Sequence, residues 1–239
     1  MNKQNILDAI AKVKEVSPER KFKQSFDFIV NLRNINLKKP EEKIDIFLTL
    51  PYTKGKKAKI CALIDQELHA QAKPLFDKVI LKEDFPKYTK KEIKKLALEY
   101  DFFVAQANLM AQIATTFGKV LGPKQKMPNP KSGCVVPQSA LLKPVYDRLQ
   151  NLVHLTTKNE AVIRVMVGKE DMKQEEVAEN ILIVYTALMH ALPQEKNNIR
   201  SMLLKFSMGP TIEVTEKGPL FKPKQEQKPR EKKKKGKEQ

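Results

Sequence analysis

The chain has little of what metal centres, disulfide scaffolds and nucleophilic active sites are built from. Only two cysteines, Cys61 and Cys134, occur in 239 residues. They lie far apart and neither is half of a Cys-x-x-Cys pair, so neither a zinc ribbon nor a disulfide framework is encoded, and a reducing compartment is expected. His69, His154 and His190 fall on three different predicted elements with no ligand spacing between them. No Ser/His/Asp or Cys/His grouping is discernible, so each histidine reads as structural or exposed. The carboxylate pairs Glu41-Glu42 and Glu175-Glu176 precede or begin regular elements, where acidic residues favour helix starts or face water. They are not read as acid/base pairs; no enzyme, cofactor or metal is expected.

Long apolar runs are also missing, and none approaches the roughly 18 residues that a membrane helix needs. Met1 to Ala11 has Asp8 among its apolar positions and no small-residue cleavage pattern. A cytoplasmic protein without a membrane partner is therefore expected. Glycine signatures for phosphate are absent as well. There is no Gly-x-Gly-x-x-Gly, and five residues after Gly118 stands Pro123, which has no amide hydrogen to give a phosphate, so the Gly-rich stretch there is not a Walker loop.

Positive charge is what the chain has in excess: 45 Lys plus Arg against 28 Asp plus Glu, a net +17. Gly218 to Gln239 holds 9 basic and 3 acidic residues, which leaves 36 and 25 elsewhere, a net +11. An excess that survives removal of the tail belongs to folded surface, where fixed cations meet the phosphates of a nucleic acid. The alternative is a merely soluble basic protein.

Hydrophobic spacing divides the rest. Ile6, Ile10 and Val13 give an amphipathic helix over Asn2 to Val16; Phe26, Phe28, Val30 and Leu32 alternate with Asp27, Asn31 and Arg33 as a half-buried strand; and Ile44, Ile46, Leu48 and Leu50 repeat that rhythm. Past the polar linker Thr53 to Lys57 the style changes. Strands at 59–64, 78–81 and 102–105 alternate with helices at 66–76, 90–100, 109–117 and 138–152, the pattern of parallel pairing. Val153 to Thr157 and Ala161 to Val167 then predict a hairpin turning at Lys158-Asn159. A long helix follows, capped by Asp171 and Gln174, with Val177, Ile181, Tyr185, Leu188 and Leu192 as its apolar face. Strands at 200–206 and 211–215 resume the opening style. The economical organisation is a discontinuous domain of residues 1–57 and 152–217, an inserted domain of 58–151, and a disordered basic tail, 218–239.

Gly118 to Gly133 packs three Gly, three Pro and four Lys into sixteen residues. It is either a rigid connection or an RNA contact. Within it, Leu121-Gly122-Pro123 followed by Met127-Pro128-Asn129-Pro130-Lys131 resembles the signature loop of the ribosomal protein L-one family, whose members sit on a mobile stalk beside the tRNA exit site; Gly118, Lys124 and Lys126 belong to the same loop. Glu99-Tyr100-Asp101-Phe102-Phe103, Val167-Gly168-Lys169-Glu170-Asp171-Met172, Ala178-Glu179-Asn180 and Met208-Gly209-Pro210 resemble further family segments in the right order, over residues 1 to 217. The style is closer to archaeal and eukaryotic members than to bacterial ones. One departure is Lys124-Gln125, where the family usually has Arg-Gly, so a glycine able to take a positive φ is lost.

The resemblance implies an α/β fold: a discontinuous α+β sandwich, antiparallel sheet with helices, carrying an inserted three-layer Rossmann-like domain. It implies that rRNA is gripped by Lys21, Phe22, Ser25 and Asp27 with Ser201 and Ser207, Met208, Gly209 and Pro210. The chemistry fits, since a serine hydroxyl exchanges hydrogen bonds with a 2′-OH and glycine permits close backbone approach. Phe22 is alternatively core, Asp27 a solvated strand residue, and Lys158 and Arg200 either phosphate partners or ordinary solvated cations. Large-subunit rRNA, exit-site tRNA and the protein's own mRNA are the implied partners of a free monomer. The rival readings are a nucleotide-binding α/β enzyme and an RNA-binding regulator outside the ribosome.

Overall fold

The computed structural model describes residues 2–39, 42–157, 159–215 and 218–221. The two ends of the chain meet in one antiparallel sheet, ordered β11 (Gly218–Phe221), β10 (Thr211–Thr215), β9 (Ile199–Phe206), β1 (Ser25–Leu32) and β8 (Val162–Lys169). Strict alternation in β1 buries Phe26, Phe28, Val30 and Leu32 on one face. Full burial of such side chains stabilises by about 1.5–3 kcal/mol each. Against that face lie α1 (Lys3–Val16), through Ile6, Ile10 and Val13, and α7 (Gln174–Ala191), through Val177, Ile181, Val184 and Leu188. Beside them β2 (Asp45–Thr49) pairs antiparallel with β7 (Leu152–Thr156).

The central segment folds separately around a four-stranded parallel sheet, ordered β4 (Lys78–Leu81), β3 (Ile60–Ile64), β5 (Phe102–Gln106) and β6 (Val135–Val136). All five residues of β3 are buried, and alternate ones enter different cores. Cys61 and Leu63 join Ile93, Leu96, Ile113 and Leu121 of α3 (Lys90–Glu99), α4 (Met110–Thr116) and α5 (Gly118–Leu121). Ile60, Ala62 and Ile64 join Leu68, Ala72, Leu142 and Leu149 of α2 (Gln66–Ala72) and α6 (Leu142–Asn151). Helices on both faces of a parallel sheet make three layers, the α/β arrangement expected from the alternation.

Several local expectations fail for identifiable reasons. Strands β7 and β8 form no hairpin, because Thr157 N–H donates to Ile44 and Leu32 N–H donates to Ala161, extending the pairings with β2 and β1. Asp171 does not cap α7, which starts after Lys173 without a side-chain cap; Asp171 pairs with Lys23 at 2.8 Å instead. The helix expected from Gln138 begins only at Leu142, since a turn at Pro137 uses the Ala140 amide, and Leu141 is 73% exposed. Gly218 to Phe221, expected as the start of the tail, form β11. Gly218, at φ +120, opens a strand over 218–221 that pairs antiparallel with β10, and Pro219 is tolerated there because β11 is an edge strand among the described residues. The rest of the expected tail, 222–239, lies outside the described residues.

Candidate nucleic-acid interface

Alternation in β1 and β9 sends one set of side chains into the core and the other onto the opposite face of the sheet. Register places Asp27 beside Lys205, Ile29 beside Leu203 and Asn31 beside Ser201. Ser207 N–H donates to Ser25 C=O at 3.1 Å, which continues the row past the strand end. Four cross-strand pairs thus form a stripe of half-buried residues. Asn31 Nδ2 donates to Ser201 Oγ at 2.8 Å. Burial pushes the Asp27 carboxyl above the usual carboxylate range, and Lys205 opposes the shift. Met166 and Arg164 of β8 pair with Asp27 and Ile29 on the other side.

At the Ser25/Ser207 end two apolar side chains stand in solvent, Phe22 at 53% and Met208 at 63% exposure, with exposed Lys21 beside Phe22. Phe22 is therefore not core. Between their segments lies Gln24, 1% exposed, whose Oε1 accepts from Met208 N–H at 3.3 Å. The Gln24 N–H donates to the Glu170 carboxylate, and its C=O accepts from Glu170 N–H. Gly209 has an internal reason to be glycine: a Cβ there would lie 2.6 Å from Ser17 Oγ and 3.1 Å from Phe206 Cβ. The close approach is made by the protein's own helix end.

Other expected residues lie elsewhere. Arg200 is exposed at a slip in the β1/β9 register next to Asn31/Leu32, about 20 Å along the strand from Ser207. Lys158 lies outside the described residues. The Gly118–Gly133 stretch, expected as a loop, starts as α5 and is largely bonded to its own unit. Lys126 Nζ donates to Tyr100 C=O at 2.6 Å, Pro128 is buried, and Asn129 Oδ1 accepts from Lys131 N–H at 3.0 Å. Gln125 keeps a positive φ of 56 although it is not glycine. Gly122, Pro123, Lys124 and Pro130 are exposed.

That tip borders a cleft of about 790 Å³ between the central unit and β8. Lys54, Lys56, Lys124, Lys126 and Arg164 line it, together with Asp101 and Glu160. Lys54 Nζ is committed to Leu152 C=O at 2.7 Å, and Arg164 to Glu160 at 3.0 Å. Burial lowers the Lys54 and Lys126 ammonium pKa values. Because Met166 belongs both to the cleft and to the row beside Asp27, the two surfaces are continuous.

The rival enzyme reading would use the crevice where the parallel sheet reverses its order, between the carboxyl ends of β3 and β5. There Asp65 caps α2 and Glu67 occupies its first turn, so the helix start presents carboxylates that repel phosphate. Gln106 Oε1 accepts from Asp65 N–H at 2.9 Å, tying the two strand ends together. Among the described residues no group of His, Cys, Asp and Glu has metal-site geometry, and no helix is long and apolar enough to cross a membrane. Both cysteines are free and buried, and burial pushes the Cys61 thiol up to about 12. His154 stacks on Phe47 and pairs with Asp45.

Gln24, Asn31's partnership, Lys205 and Ser17 belong to the site without standing in any of the motifs named from the sequence. Period two in β9 marks Lys205, since Ser201, Leu203, Lys205 and Ser207 share parity. Nothing local marks Gln24 or Ser17.

Residues 12–210 match the Ribosomal protein L1p/L10e family. The large ribosomal subunit protein uL1 of Methanobrevibacter smithii is 42% identical over 214 residues, covering 88% of this chain and 99% of the relative. Its counterpart in Methanothermobacter thermautotrophicus is 39% identical with the same coverage, and that of Methanocaldococcus jannaschii is 35% identical over 90% of this chain and 96% of the relative. With most of its length matched in order, as the archaeal-style segments implied, the chain belongs to the ribosomal protein L1p/L10e family.

Proposed function

We propose that this protein is a constituent of the large ribosomal subunit in the cytoplasm, a monomer when free, that holds folded rRNA on the sheet face of its terminal unit. In this reading residues 1–57 and 152–221 form the gripping domain, with β11 added to the boundary expected from sequence, and 58–151 form a second domain across the cleft. The stripe from Asn31/Ser201 to Ser25/Ser207, ending at exposed Phe22 and Met208, is the observation that carries it. Serine hydroxyls and an asparagine amide suit 2′-OH groups, Lys205 suits a phosphate, and Phe22 and Met208 offer apolar surface to sugars or bases. Asp27 accepts hydrogen bonds from 2′-OH or base amino groups, since a carboxylate repels phosphate.

The family setting extends this to a mobile rRNA arm that helps deacylated tRNA leave the exit site, and to repression of the protein's own mRNA through a similar RNA fold. The action is binding; no bond is made or broken. Filter retention of a large-subunit rRNA transcript tests the reading. Lys205→Gln with Met208→Ala, which puts no second carboxylate opposite Asp27, is expected to weaken retention at least tenfold, at an estimated 1.4 kcal/mol per tenfold, with the urea midpoint little changed. Undiminished retention would remove the sheet face as the site. Loss of cosedimentation with large subunits after a high-salt wash would favour a regulator outside the ribosome.

A further inference from the structure

We infer that the outer face of α3, on the central unit, is a second RNA-binding surface that grips a phosphodiester backbone without regard to sequence. The helix buries Ile93, Leu96 and Ala97 and exposes Lys90, Lys91, Lys94 and Lys95. None of the four forms an ion pair among the described residues. The nearby acids have other engagements. Glu92 accepts from both Thr89 N–H and Thr89 Oγ in a capping box, and Glu99 faces Lys59 at 3.7 Å. Lys95 and Lys78 are close enough to Glu92 to favour its charged form, so one of the four is partly compensated.

The arrangement opposes the helix's own interests. The first turn holds Glu92, which the helix dipole favours, but also Lys90 and Lys91, which it disfavours, and Glu99 ends the last turn, where it disfavours anions. Lys90/Lys94 and Lys91/Lys95 are like-charge neighbours four residues apart, which also destabilise a helix. Local rules broken together on one exposed face mark a surface kept for a partner.

The chemistry of the face selects that partner. Lysine is a flexible point charge, suited to phosphates at variable geometry rather than to bidentate base reading. The exposed face of α3 carries no aromatic ring to stack a base, and Leu98, 76% exposed, is its sole large apolar group, too little to enter a lipid interface. The surface lies on α3 alone and does not depend on the terminal sheet being the rRNA site.

The test uses the full chain and poly(U), followed by fluorescence anisotropy between 50 and 200 mM salt. Replacing Lys90, Lys91, Lys94 and Lys95 together with Gln is expected to flatten the salt dependence by about 3 in slope, roughly 0.7 per lost contact. A control replacing Lys12, Lys14, Lys73 and Lys143 with Gln should change the slope by less than about 1. Independently, Lys90→Glu with Lys91→Glu should raise the melting temperature while weakening poly(U) binding. Equal slopes for the two quadruple variants, a lowered melting temperature in the reversal, or polyglutamate displacing poly(U) at equal charge would overturn the inference.

Discussion

Gly209 and Ser17 offer the sharpest test of how the proposed contact turn is held. Gly209→Ala would place a methyl 2.6 Å from Ser17 Oγ and 3.1 Å from Phe206 Cβ, where ordinary contact begins near 3.4 Å. The turn must move by several tenths of an ångström, an overpacking that costs about 1–3 kcal/mol. Ser17 Oγ is itself buried with no hydrogen-bond partner, so Ser17→Ala removes a hydroxyl whose burial is uncompensated. That change alone should be neutral or stabilising by up to about 1 kcal/mol. In the double variant the 2.6 Å clash is gone and the 3.1 Å contact remains, so the two substitutions should couple favourably by about 1–2 kcal/mol. Urea unfolding followed by circular dichroism measures the cycle, and filter binding to an rRNA transcript should show affinity lost in Gly209→Ala and largely regained in the double variant. Strict additivity, with Ser17→Ala itself destabilising by more than about 1 kcal/mol, would refute the packing argument.

Gln125→Gly should raise the unfolding free energy by about 0.5–1 kcal/mol, because a side chain at φ 56 is strained; a fall in urea midpoint would contradict this. Asp27 has its folded-state pKa raised above 3.8, so the native state holds that proton more tightly and the group's contribution to stability falls as pH rises from 3.8 through the raised value. Asp27→Asn should therefore raise the melting temperature at pH 7, with the difference vanishing below pH 3.8; an unchanged difference across that range would point to another cause. Cys61 and Cys134, both buried with raised thiol pKa values, should react with an aromatic disulfide reagent only at the rate of unfolding, and fast labelling of the native protein would be inconsistent with their burial.

Periodicity made the framework legible. The stripe of Ile6, Ile10 and Val13 and the alternation of Phe26 to Leu32 are each strong enough to place an element and its buried face. Three strands of the parallel sheet were readable because they are short apolar runs separated by amphipathic helices, whereas β6, only two residues long, carries no such signal. Pairing was harder, because turn chemistry is local and strand partners are not. Lys158-Asn159 looks like a hairpin turn, yet each flanking strand finds its partner over a hundred residues away, at β2 and at β1. β11 was hidden by its length of four residues, its Pro219 and its cationic sequel.

At the candidate site the exposed pair Phe22 and Met208 and the serines were legible through resemblance. What holds them was not. Gln24 fixes Met208 from across the chain, and Gly209 is explained by Ser17, a contact between the end of α1 and the turn after β9 that no local pattern encodes. The first-turn lysines of α3, by contrast, break a rule visible in the sequence itself, and the structure adds that neither forms an ion pair among the described residues.

The central claim is that the terminal unit's open sheet face meets rRNA. Ultraviolet crosslinking of the full chain to a large-subunit rRNA transcript, with the attached peptides identified, tests it most directly. Crosslinks should fall on peptides containing Phe22 and Met208; crosslinks confined to residues 60–151 would contradict the account.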